Sequence, residues 1–85
     1  MHYVYFIKSI KDDFNYIGST NDLRRRFAEH NNGMSLATKA HHPFRLVYYE
    51  SYASKKDALI REKKLKQFGS TSGHLKARIK FSLLE

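Results

Sequence analysis

Eighty-five residues, 41% of them hydrophobic and 14% aromatic, make one domain with a modest core and exclude both a disordered chain and a second core. Without cysteine there are no disulfides and no thiolate metal sites, which fits a reducing cytoplasm, and no apolar run is long enough to span a membrane. Sixteen Lys and Arg against eight Asp and Glu leave a net charge of +8, the balance of a polyanion binder, and nucleic acid is the commonest polyanion.

The amino-terminal run is short, alternates with tyrosine and lacks a basic leader, so it is expected not to be a signal peptide. Tyr3 to Ser9 reads as a strand, rich in aromatic and β-branched residues. Both alternating sets, Tyr3/Tyr5/Ile7 and Val4/Phe6, are apolar, which predicts cover on both faces. Lys11-Asp12-Asp13 turns the chain into a second strand, Phe14 to Ser19. The short spacing favours an antiparallel hairpin that brings Tyr5 and Tyr16 onto neighbouring strands.

A first helix is expected from about Asn21-Asp22, capped by Thr20 or Asn21, to Asn32-Gly33, where glycine permits a left-handed end. Leu23, Phe27 and His30 fall on its apolar stripe and Arg26 flanks it, while Arg25 and Glu29 point away as a solvent-exposed pair. Met34 to Pro43 reads as a polar loop with Lys39, His41 and His42 exposed, and Phe44 to Tyr52 as a third strand. Ser54 caps a second helix that runs to Phe68 and stops at Gly69, with Ala58, Leu59 and Leu65 on its apolar face. Ser70 to Gly73 is expected to break the chain before a last helix, His74 to Leu84. The order β-β-α-β-α-α predicts a small α+β domain over residues 1–85, a three-stranded antiparallel sheet flanked by helices.

Three features carry possible chemistry. Glu62 stands out of pattern between Ala58, Leu59 and Leu65, and a carboxylate there needs a partner or a cation. The plain reading pairs it with Lys66, four residues on; the functional reading makes it a ligand for a mostly hydrated Mg²⁺. Arg26 and His30 share a helix face, either as a snorkelling arginine beside a packed ring or as a phosphate clamp with a hydrogen-bonding neighbour. Among the tyrosines, a general base is conceivable only where positive charge lowers the phenol pKa. His41-His42 are adjacent and point apart, so they offer no zinc pair, and there is neither a glycine-rich nucleotide fingerprint nor a nucleophile elbow.

Together these pieces resemble the GIY-YIG nuclease family. Tyr3-Val4-Tyr5 corresponds to the first family triplet, with Tyr3 in place of its glycine, and Tyr16-Ile17-Gly18 is the second triplet intact. Arg26 stands at the family's helix arginine, His30 follows it, and Asp57 to Glu62 matches the segment that carries the metal-binding glutamate. No asparagine follows at the family's downstream position, where only His74 is similar in polarity. The likeness covers about residues 3–68 and is greatest to small stand-alone bacterial members related to the incision domain of nucleotide-excision repair.

That resemblance implies a metal-dependent endonuclease cleaving DNA, structured or single-stranded, in repair or genome maintenance, with RNA not excluded. It implies one Mg²⁺ or Mn²⁺ held by Glu62, Arg26 against the transition-state charge, Tyr5 as base with Tyr16 orienting, and His30 holding water, tyrosine or phosphate. Gly18 and Ser19 would let backbone amides approach the phosphate, and Lys8, Arg24, Lys39 and Lys66 would track the nucleic-acid backbone. The alternative is a nucleic-acid-binding module on the same scaffold without catalysis; no membrane partner is expected.

Overall fold

The computed structural model describes Met1–Glu85 and places the apolar amino-terminal run, β1 (His2–Ser9), at the centre of the sheet. β2 (Asn15–Thr20) and β3 (Phe44–Tyr52) flank it, both antiparallel, in the order β2-β1-β3. A central strand needs apolar side chains on both faces, which explains why β1 shows no polar alternation. On one face Tyr5 and Ile7 pack with Phe44 against Leu23 and Phe27 of α1 (Leu23–Asn31). On the other, Val4 and Phe6 pack against Ala58 and Leu65 of α2 (Lys55–Gln67) and Leu75 of α3 (Gly69–Arg78). The α+β class and the β-β-α-β-α-α order are as expected, but the expected last helix, His74 to Leu84, is divided at Ile79, which leaves a short α4 (Lys80–Leu84) at the end. No helix is long and apolar enough to cross a membrane.

The hairpin register pairs Tyr5 with Gly18 and Ile7 with Tyr16, so Tyr5 and the second triplet share one site by backbone pairing alone. β2 continues through Thr20, one residue beyond the expected strand end. The cap of α1 is Asp22, not Thr20 or Asn21: its carboxylate accepts the Arg25 N–H, while the Thr20 hydroxyl accepts the Asp22 N–H and shapes the turn. Gly33, at φ +70°, ends α1 as its sequence predicts.

Three expectations change. Met34 to Pro43 is not simply a solvated loop, because Ser35 and Thr38 are buried and Lys39–His41 forms a 3₁₀ turn. His41 is half-buried, stacked on Phe14 and hydrogen-bonded to Asp12, whereas Lys39 and His42 are exposed as expected. Leu59 is mostly turned outward, leaving Ala58 and Leu65 as the buried positions of α2. Ser70 to Gly73 is helical rather than a break. The interruption falls at Phe68, whose extended backbone (φ −111°, ψ 109°) separates α2 from α3, and burial of Leu75 against the sheet outweighs the weak helix propensity of the Ser/Thr/Gly run.

A polar strut fixes α2 on β3. Arg61 reaches both carboxylate oxygens of Glu50 at 3.0 to 3.2 Å, and the Tyr48 and Tyr52 hydroxyls donate to the same carboxylate. Desolvation would raise the Glu50 pKa, but Arg61 and the two hydroxyls more than offset it and hold the carboxyl below its usual range. Glu62, next along α2, inherits its position from this strut.

Candidate active site

The site is built outward from Tyr5. Its ring is 2% exposed and its hydroxyl lies 2.7 Å from Nε2 of His30, whose Nδ1 is 2.7 Å from the Thr38 hydroxyl. His30 and Thr38 are fully buried. Gly18 makes this possible: a Cβ there would lie 2.6 Å from Tyr5 Cζ and 3.0 Å from Tyr16 Cε2. The glycine of the second triplet is therefore a recess for a tyrosine hydroxyl within the ladder.

Tyr16 completes the aromatic cluster, its centroid 6.5 Å from that of Tyr5 and 5.3 Å from that of His30. Arg26 lies along the rim, donating to Glu29 at 2.9 Å and to the Ser35 hydroxyl at 3.4 Å. The expected exposed pair of Arg25 and Glu29 forms only as a long contact of 3.7 Å, and Glu29 serves Arg26 as its main partner. Glu62 reaches β2 from α2 and accepts from the Ser19 hydroxyl at 2.8 Å. Lys66 Nζ lies 2.9 Å from its other carboxylate oxygen and 5.1 Å from the centre of the Tyr16 ring. The plain i,i+4 reading of Glu62 thus holds alongside its place beside the cluster.

Burial pushes the Tyr5 pKa up to about 12; the Arg26 guanidinium pulls it down, but by less. Burial also pushes His30 down to about 4, and the positive charge of Arg26 adds to that shift, so the ring is neutral at pH 7. Arg26 has only donors to offer, so it favours the tautomer in which Tyr5 donates to Nε2 and Nδ1–H donates to Thr38, leaving the Tyr5 oxygen lone pairs toward the guanidinium. These shifts count against Tyr5 as a proton acceptor in the free protein.

The His30 shift has a measurable consequence. Between pH 6.5 and about 4 the unfolded chain binds a proton that the folded ring refuses, so stability falls as pH drops through that window, by on the order of 3 kcal/mol in full. Thermal unfolding from pH 7 to pH 4 should show this loss, and His30→Gln should flatten it. An equal slope in both proteins would contradict the assignment.

Of the other expected contacts, Ser19 is at the site through Glu62, and Lys66 through Glu62 and Tyr16. Arg24 is exposed near Tyr3, and Lys39 is exposed next to Thr38. Lys8 alternates to the sheet face opposite Tyr5 and is not brought to the cluster. Thr38, Glu29 and Ser35 belong to the site without having been singled out: a lone threonine or serine in a loop carries no periodic signal, and Glu29 read as a surface partner.

No group of three His, Cys, Asp or Glu side chains is arranged to hold a metal ion. A hydrated Mg²⁺ or Mn²⁺ completed by substrate oxygens needs only one or two carboxylates, and Glu62, partly exposed with both oxygens in polar company, fits that requirement once Lys66 swings aside.

The description "GIY-YIG catalytic domain" fits this chain over residues 1–76. A UPF0213 protein of Staphylococcus saprophyticus is 41% identical over 68 residues, covering 79% of this chain and 82% of the relative. One of Clostridium perfringens is likewise 41% identical over 68 residues, covering 79% and 72%. The solution NMR structure of the UPF0213 protein BH0048 of Bacillus halodurans is similar with a TM-score of 0.56 at 30% identity, covering 93% of this chain and 84% of that one.

Proposed function

This chain belongs to the GIY-YIG family, and from that premise we propose that it is a divalent-metal-dependent endonuclease that hydrolyses phosphodiester bonds in DNA. The observation that carries the reading is the cluster of Tyr5, Tyr16, Arg26 and His30 with Glu62 beside it, in a chain of net charge +8. Glu62 would hold one Mg²⁺ or Mn²⁺, which when bound supplies Lewis-acid stabilisation of the charge on the phosphate and leaving oxygen. Arg26 exchanges Glu29 for a non-bridging phosphate oxygen and neutralises the charge that grows in the transition state. Ser19 orients the Glu62 carboxylate.

The two tyrosines exchange the parts expected of them. Tyr16 is the less buried and its hydroxyl is not committed to His30, so it takes the proton from the attacking water. Tyr5, its proton committed to His30, orients the nucleophile and phosphate through its lone pairs. Tyr16→Phe should therefore lower the single-turnover rate by about 10²-fold or more with little change in stability. Tyr5→Phe should cost about 1–3 kcal/mol of stability, because it strands His30 Nε2 in the core. A larger rate loss in Tyr5→Phe would return the base to Tyr5.

The direct test incubates the protein with plasmid, duplex and single-stranded oligonucleotides, with Mg²⁺ or Mn²⁺ and with chelator. Metal-dependent cleavage is expected. Salt-sensitive binding with no cleavage under any metal would leave the non-catalytic binding module instead.

A further inference from the structure

Beside the catalytic cluster lies a pocket of about 490 Å³ that the mechanism does not use. Its walls are Tyr3 and Tyr49, whose ring centroids are 6.0 Å apart at an interplanar angle of 65°. Phe27 and Leu46 line it further, and Arg24 and Asn21 stand at its rim where α1 begins. Tyr3 alternates to the same sheet face as Tyr5, about 7 Å along β1, and Tyr49 is the cross-strand partner of Tyr5 on β3. The pocket thus adjoins Tyr5 on the same face of the sheet.

The lining states what it can bind. Tyr49 is 51% exposed, so part of its ring is open to a ligand. Two rings meeting edge to face offer a flat base one surface to stack on and one edge to abut. The Asn21 side chain, whose Oδ1 accepts from Arg25 at 3.5 Å, still offers its NH₂ donors to a base edge, and Arg24 a charge for the adjoining phosphate. The rim carboxylate, Asp22, already accepts from the Arg25 N–H as the helix cap, which limits its repulsion of a strand. A paired base has both faces stacked within its duplex and cannot enter. Tyr3 stands where the family has glycine, so the wall it forms is a feature of this chain's own sequence.

We propose that the Tyr3–Tyr49 pocket is a subsite for one unpaired nucleobase next to the cleaved phosphodiester, which selects strands with a single-stranded or flipped-out nucleotide at that point. The proposal rests on nucleic acid as the substrate, but its test is independent of cleavage. In chelator, 2-aminopurine is scanned through a short thymidine oligomer, and fluorescence and affinity are measured together. Wild-type protein should quench the probe at one position. Tyr49→Ala should abolish that quenching and weaken binding about 5- to 150-fold, the worth of one stacked base, while Tyr49→Phe retains both. An abasic residue at the quenched position should weaken wild-type binding by the same factor and leave Tyr49→Ala unaffected. Binding of the abasic strand as tight as that of the intact one, or quenching that survives Tyr49→Ala, overturns the subsite whatever the cleavage assay shows. Tyr49-dependent quenching in a protein that cleaves nothing upholds the subsite and ends the nuclease reading alone.

Discussion

Arg26→Ala is expected to lower the cleavage rate by about 10²- to 10³-fold while leaving the fold nearly as stable as before. The two halves of this expectation come from different contacts. In the free protein Arg26 pairs with Glu29 across one helical turn, both side chains partly exposed at 31% and 26%, and such pairs contribute less than about 1 kcal/mol. Against a phosphate the same guanidinium offers two parallel donors where negative charge accumulates, which has no counterpart in the ground-state fold. Arg26→Lys keeps the charge but loses the fork, so it should recover only part of the rate. Because Arg26 also helps hold His30 neutral, its removal should raise the His30 pKa, which an NMR titration can follow independently of activity. An Arg26→Ala protein that is strongly destabilised yet cleaves normally would reverse the account of this residue.

Gly18→Ala should be the most damaging single methyl in the chain. The added Cβ meets Tyr5 Cζ at 2.6 Å, and Tyr5 cannot swing aside because Gly18 and His30 confine its hydroxyl end and the strand pairing fixes its backbone. Overpacking of this kind costs about 1–3 kcal/mol, a large share of the stability of a domain this small. The expected result is a Tm lower by roughly 10 °C or more and a cleavage rate lost with the position of Tyr5. Gly73→Ala is the internal comparison. Nothing lies within 4 Å of its Cβ and it sits inside α3, so the same change there should stabilise by about 0.5–1 kcal/mol. Equal effects at both positions would mean that Gly18 is not a recess for Tyr5.

The contrast between these two glycines also shows what was readable in the chain. The sheet was legible because a central strand must be apolar on both faces, and Tyr3 to Ser9 is nearly so. His30 was legible as a core-facing residue because it falls on the stripe of Leu23 and Phe27. What it touches was not: Thr38 comes from a stretch without periodicity, and only the folded loop brings it beneath the imidazole. Gly18 invited a reading as open backbone because glycine most often marks freedom, whereas here the ring of its register partner, Tyr5, fills the space. Ser70 to Gly73 misled for the opposite reason, since local propensity is weak and burial of Leu75 decides the conformation. Glu62 was legible in both of its readings at once, as partner of Lys66 and as the carboxylate at the site.

That double reading makes Glu62 the place to test the whole account. Glu62→Gln keeps the oxygen that accepts from Ser19 and leaves the fold intact, but removes the charge that a divalent ion requires. The measurement is the single-turnover cleavage of labelled single-stranded and duplex DNA across a Mn²⁺ titration, wild type beside Glu62→Gln. Wild-type cleavage should rise with the ion to a plateau and vanish in chelator, and Glu62→Gln should fall at least about 10³-fold below it, the loss of several kcal/mol of transition-state stabilisation. Cleavage that persists in chelator, or that Glu62→Gln leaves unchanged, would contradict the account.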